Sequence, residues 1–238
     1  MLKGSKLVRM VVCDMFGTVV KDCGAINKAL DRTFKSQGIF VGPSIRSYWF
    51  NSNMANVISD TVNDVCNRSP TGLEHIIKQS EIVFRKELEN IYLEEKPCVT
   101  LIDPTIPKLF DELRKNNIIV TLNTNFSELV QKNIIDRLSL HDHIDDCVSR
   151  DNVELGRPAP HMIWQLMYNN GIDDPSTVVK IGDSIEDIKE GKNANCGIVA
   201  GVLSGNSTRQ QLEKYNPNVV FNTLTDLRSY MRRNFIIF

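Results

Sequence analysis

Apolar and polar positions follow two different patterns along the chain. From residue 98 onward, short β-branched runs alternate with stretches whose apolar residues recur at helical spacing. "NNIIVTLNT" is followed by the helical pattern of residues 127–138, "IDDCVSR" by 160–170, "TVVKIGD" by 185–195, and "CGIVAGVL" by 207–215. Short strands joined by helices predict right-handed βαβ units and a parallel sheet. The apolar run of residues 7–14 has the same character and joins that sheet. Between residues 20 and 97 the pattern changes. "AINKALDRTFKSQG" and "LEHIIKQSEIVFRKELENIYLEE" carry apolar residues at helical period, the first ending on Gly38 as a helix stop. The expectation is an α/β protein: a Rossmann-like parallel-sheet core of residues 1–19 and 98–238, with helices on both faces, and an inserted helical cap domain of residues 20–97.

Composition narrows the classes. A 238-residue chain with 42% hydrophobic residues can bury a sizeable core, and a net charge of -1 gives no basic face for nucleic acid or an anionic membrane. Arg232 and Arg233 read as the last turn of a helix. The six cysteines form no CxxC pair and read as free thiols of a reducing, cytoplasmic compartment. Lys3, Lys6 and Arg9 precede an apolar run that Asp14 interrupts after Cys13, so neither an export signal nor a membrane span is expected.

Ligands of open parallel sheets bind beyond the carboxyl ends of the strands. Four such ends carry polar residues: Asp14 with Gly17 and Thr18; Thr124 with Asn125; Arg157 in "ELGRPAP"; and Asp183 with Asp187 in "IGDSIEDI". Each has a structural reading when taken singly. Asp14 suits a turn, Thr124 a helix N-cap, Arg157 a solvated loop, and the Asp183–Asp187 pair a helix dipole. Together they supply carboxylates, a hydroxyl and a cation, a set that can hold a divalent metal and a phosphate. "HDHIDD" (residues 141–146) reads as a surface turn, and Cys13 points away from Asp14 by strand alternation.

In this order, "DMFGTVV", "LNTN", "GRPAP" and "GDSIEDIKEGKNA" resemble the four motifs of the haloacid dehalogenase superfamily of hydrolases, over nearly the whole chain. The glycine-arginine-proline form and the later "GVLSGNSTRQQLE" are most similar to its phosphonatase-like branch. The resemblance implies that Asp14 is a nucleophile forming an aspartyl-phosphate, with Thr124 and Arg157 holding the phosphoryl oxygens. It also implies that Asp14, the Phe16 carbonyl and Asp183 bind Mg²⁺, with Asp187 acting directly or through a neighbouring ligand. Gly17, Thr18, Asn125 and Gly156 would border the substrate, and Arg46, Tyr48, Trp49 and Asn53 would reach it from the cap.

Phe16 departs from that pattern. Phosphatases of the superfamily carry a second Asp there, which protonates the leaving alcohol and later activates water; a phenyl ring does neither. The phosphonatase alternative needs a Schiff-base lysine, which aligns at about Met54, and a thioether cannot form an imine. An aromatic at this position also resembles the 2-haloacid dehalogenases, which need no Mg²⁺, whereas the GDSxxD acids look like a retained metal site. The resemblance therefore implies a Mg²⁺-dependent hydrolase of a small phosphorylated or phosphonate metabolite. The competing reading is a pseudoenzyme that keeps the fold as a binding or regulatory module. The remaining partner expectations are a monomer or homodimer with neither nucleic acid nor membrane bound.

Overall fold

The computed structural model describes residues 7–22, 24–43, 45, 54–66, 70–94, 99–205 and 207–234. It divides into two compact units, one of residues 1–21 and 99–238, the other of residues 22–98.

The first unit is built on six strands: β1 (Met10–Asp14), β4 (Ile119–Thr124), β5 (Asp146–Ser149), β6 (Val178–Gly182), β7 (Ile198–Val202) and β8 (Val219–Phe221), in spatial order β5-β4-β1-β6-β7-β8. Every pairing in this sheet is parallel. β1, β6 and β7 are buried along their whole length, which is why β1 and β7 read as nearly continuous apolar runs rather than alternating ones, while Lys180 interrupts β6. Met10 and Val12 on one face of β1 pack with Val148, Met162, Ile163, Leu166 and Val178. Beyond β7, Ile188, Val199 and Leu212 form a second cluster.

Two further strands, β2 (Val20–Asp22) and β3 (Val99–Leu101), pair with each other where the chain leaves and re-enters this unit. They were not foreseen, nor was β8: runs of three residues fall below what periodicity resolves. The helix Ile106–Lys115 was also missed, although Ile106, Leu109, Phe110 and Leu113 form a helical stripe buried in the unit.

In the second unit, α1 (Ala25–Ser36), α2 (Met54–Val65) and α3 (Pro70–Glu94) enclose a core of Leu30, Phe34, Val41, Val57, Ile58 and Val62, against which Leu73, Ile76, Ile77 and Phe84 pack. Gly38, at φ 68°, closes α1: its amide donates to the Lys35 carbonyl at 3.1 Å and that of Ile39 to the Phe34 carbonyl at 2.9 Å. Ser80 Oγ donates to Gln37 Oε1 at 2.7 Å and ties α3 to the end of α1.

In the first unit, the chain continues with α4 (Ile106–Lys115), α5 (Glu128–Arg137), α6 (His161–Asn169), α7 (Ile185–Asn193), α8 (Arg209–Glu213) and α9 (Leu227–Asn234). Arg232 and Arg233 lie in the last turn of α9, as the sequence suggests. Residues 141–143 form a single 3₁₀ turn ahead of β5, in which His141 pairs with Asp136 and His143 with Asp111 at 2.8 Å. Among the described residues, no helix is long and apolar enough to cross a membrane.

Candidate active site

The connections run from β1 outward through β4 to β5, then return across β1 to β6 and continue to β7 and β8. β1 is therefore where the winding reverses, and its carboxyl end opens into the crevice that such a reversal creates. Asp14 occupies that end, directly opposite Asn123 on β4. Asp183 follows β6, and Asp187 lies in the first turn of α7.

The buried carboxylates of Asp14, Asp183 and Asp187 each offer an oxygen within 4.8 Å of the others. Arg157, from the loop before α6, reaches the same point with its side chain almost fully buried. Its Nη1 lies 2.5 Å from Asp14 Oδ1, its Nε 3.0 Å from Glu190 Oε2 and 3.2 Å from Asp187 Oδ1, and its Nη2 donates to Asn123 Oδ1 at 2.5 Å. Lys180, at the centre of β6 and fully buried, places Nζ 2.7 Å from Asn123 Oδ1, 2.9 Å from Asp187 Oδ1 and 3.0 Å from Glu190 Oε2.

Burial pushes the Asp14 carboxyl up to about 6, the Arg157 charge opposing that rise and the Asp187 charge adding to it. Burial acts on Asp187 in the same sense, but Arg157 and Lys180 together outweigh it and hold that carboxyl below its ordinary range. Burial also disfavours the charges of Arg157 and Lys180. The surrounding carboxylates more than offset this, and both stay above their ordinary values. Cys13, one residue before Asp14, is fully buried and burial raises its thiol to about 12, so it is no nucleophile.

Asp14, Asp187 and Glu190 thus face two cations, Arg157 and Lys180, and Asp183 adds a fourth carboxylate beside Asp14 and Asp187. A buried cluster with that excess of anionic oxygen is suited to a hard divalent cation. The surroundings of Asp183 fit the same purpose. A methyl group at Gly17, where φ is 88°, would sit 2.5 Å from Asp183 Oδ2, and one at Gly205 would sit 1.9 Å from it. Both backbones close on this carboxylate as only glycine permits. Asp187 differs: its Oδ2 accepts from the Ser184 hydroxyl at 2.5 Å and amide at 3.2 Å in a capping box, while its Oδ1 faces Lys180 and Arg157.

The other described residues singled out from sequence have the following surroundings. Thr124 is buried and its Oγ1 accepts from the Phe126 amide at 3.3 Å. Asn125 Oδ1 accepts from the Arg157 amide at 3.1 Å, and Gly156 packs on Arg150 and Asn125, so both shape the loop that carries Arg157. Thr18 is fully buried, with its hydroxyl lacking a hydrogen-bond partner among the described residues. Phe16 is half-buried and meets Phe126 edge to face, with ring centroids 4.6 Å apart. Ser204 Oγ donates to the Gly17 carbonyl at 2.7 Å, so the loop after β7 borders the site, as read from "GVLSGNST". Arg46, Tyr48, Trp49 and Asn53 lie outside the described residues.

Lys180, Glu190 and Asn123 were not foreseen. A lysine in the middle of the strand "VVKIG" was the available signal, because a fully buried ammonium demands acceptors on neighbouring elements.

Comparison with known proteins identifies the family. The family described as haloacid dehalogenase-like hydrolase matches residues 8–195. The chain is 31% identical to the phosphonoacetaldehyde hydrolase of Latilactobacillus sakei over 50% of its own length and 45% of that protein's. It is 25% identical to the phosphonoacetaldehyde hydrolase of Bacteroides fragilis over 84% of its length and 78% of that protein's. The crystal structure of a phosphonoacetaldehyde hydrolase-like protein from Oleispira antarctica superposes with a TM-score of 0.71 at 17% identity, covering 98% of this chain and 96% of that one. The chain belongs to the haloacid dehalogenase-like hydrolase family.

Proposed function

We propose that the protein is a Mg²⁺-dependent hydrolase of small phosphorylated metabolites, acting through an aspartyl-phosphate on Asp14 and restricted to leaving groups that depart without a proton. The observation that carries this reading is the 2.5 Å approach of Arg157 to Asp14 within a crevice that also gathers Asp183 and Asp187. An Asp14 oxygen attacks phosphorus as the bond from phosphorus to the leaving group breaks. Arg157 stabilises the charge on the phosphoryl oxygens in flight. Asp14 and Asp183 would hold Mg²⁺, with Asp187 beside them: its Oδ2 is taken by Ser184, while its Oδ1, close to Arg157 and Lys180 but without a hydrogen bond among the described residues, faces the same cluster. The ion supplies the positive charge that lets an anionic carboxylate approach an anionic phosphate.

Phe16 sets the limit on this chemistry. Its ring packs on Phe126 and has no proton to give, so acyl and aryl phosphates suit the site better than alkyl phosphates. The same absence slows the second step, in which water must be deprotonated as it attacks the phosphoryl-aspartate. Relatives that bear the name phosphonoacetaldehyde hydrolase support phosphorus chemistry at this site. In this reading phosphonoacetaldehyde hydrolysis through an imine is the less favoured alternative, because the required lysine aligns at about Met54.

The test is turnover with Mg²⁺ of acetyl phosphate, an activated aryl phosphate, alkyl phosphomonoesters and phosphonoacetaldehyde, with Asp14→Asn as control. Activity confined to the first two and lost in the variant is expected. Phe16 also favours a second reading, a binding module that keeps Mg²⁺ and phosphate without hydrolysis. Inertness across the panel together with retained phosphate binding would establish that reading.

A further inference from the structure

Lys180 and Glu190 take no part in the chemistry above, yet both are fully buried directly behind Arg157. Among the described residues, the hydrogen-bond and ion-pair partners of the Glu190 carboxylate are all donors. Asn123 Nδ2 donates to Oε1 at 2.9 Å and to Oε2 at 3.1 Å, while Arg157 Nε and Lys180 Nζ each lie 3.0 Å from Oε2. A carboxylate accepts only, so it satisfies all three neighbours at once, whereas a carboxamide of the same shape would turn an NH₂ toward one of them. Arg157 shows the complementary arrangement. Its Nε donates to Glu190 at 3.0 Å, with Asp187 Oδ1 3.2 Å away, and its Nη2 is taken by Asn123, which leaves Nη1 aimed at Asp14. A guanidinium at the end of a flexible stem keeps one orientation only when its fork is held on more than one side.

We propose that Glu190 is a positioning residue that acts through Arg157, fixing the plane of the guanidinium so that Nη1 faces the phosphoryl site, with Lys180 and Asn123 holding Glu190 in turn. This rests on the phosphate-binding role given to Arg157 above. A carboxylate that served only to neutralise Lys180 would be structural, and its loss would act independently of Arg157.

A double-mutant cycle separates the two cases. Inorganic phosphate is titrated calorimetrically in the presence of Mg²⁺ into the full chain, Glu190→Gln, Arg157→Ala and the double variant. The expected result is a loss of about tenfold in phosphate affinity for Glu190→Gln, the scale of one charge-assisted hydrogen bond, with no further loss when the exchange is made in the Arg157→Ala background. Unchanged affinity in Glu190→Gln, or the same loss in both backgrounds, overturns the proposal. Should Glu190→Gln fail to fold, Lys180→Met/Glu190→Gln removes the buried ammonium with its carboxylate and carries the same cycle. Turnover of acetyl phosphate by the wild type is recorded alongside. An inert wild type that still shows the cycle refutes the hydrolase reading and supports the positioning role. A hydrolytic wild type without the cycle refutes the positioning role alone, and a wild type that binds no phosphate refutes both.

Discussion

Arg157 Nη1 lies 2.5 Å from Asp14 Oδ1 across 143 positions of sequence, and both side chains are almost fully buried. The fork of Arg157 serves Asp14, Asn123 and Glu190 from three separate nitrogens held in one plane, a spread that the point charge of an ammonium does not reproduce. Arg157→Lys is therefore expected to keep the charge and lose the geometry. Steady-state kinetics with an aryl phosphate should show a fall of about 10²-fold in kcat/KM.

Phe16→Asp tests the missing acid. Restoring a titratable group should raise turnover of alkyl phosphates by about 10²- to 10⁴-fold, the usual range for positioned acid-base catalysis, and change that of acetyl phosphate little. The Phe126 ring loses its edge-to-face partner, so the melting temperature should fall modestly. An unchanged preference between the two substrates would show that the ring is not what limits the reaction.

Mg²⁺ should raise the melting temperature by roughly 5–10 °C at a hundredfold excess over its dissociation constant. The gain should vanish in Asp183→Asn. It should also depend on pH. Burial raises the Asp14 carboxyl from 3.8 to about 6, so in the metal-free protein this group favours the folded state fully below 3.8 and loses that contribution as pH rises through 6. Metal competes with that proton, so the thermal gain from Mg²⁺ should grow as pH rises through the same interval. Thermal melts with and without Mg²⁺ between about pH 4 and about pH 7 read both trends.

Gly205→Ala should damage the metal site without reaching the core. The added methyl would lie 1.9 Å from Asp183 Oδ2, and the carboxylate must move to admit it. Calorimetry should show Mg²⁺ affinity reduced by about tenfold or more, the equivalent of one charged contact, with the metal-free melting temperature nearly kept.

Much of this was legible beforehand because Asp14, Thr124 and Asp183 each stand at or just after the end of a strand of the sheet, Arg157 alone coming from the longer loop between β5 and α6. Asp14, Thr124 and Asp183 stand out as polar groups following apolar runs, and the structure gathers Asp14, Arg157, Asp183 and Asp187 at one point. Lys180 was harder to see, since its partners Asn123 and Glu190 come from another strand and a helix, and only the sheet register brings them within reach. The substrate-facing roles suggested for Gly17 and Gly156 depend on backbone packing, which sequence does not display: one closes on Asp183, the other on Arg150 and Asn125. β8 and the pair β2 and β3 escaped because three residues carry too little pattern.

The most direct test of the account is to mix the protein with Mg²⁺ and acetyl phosphate, quench in acid within the first turnovers, and map phosphoryl groups on its peptides by mass spectrometry. The account predicts a phosphoryl group on Asp14 that accumulates, because Phe16 cannot activate the water that removes it, and its absence in Asp14→Asn. Turnover of acetyl phosphate by the wild type with no label on Asp14, or equal turnover in Asp14→Asn, would contradict it.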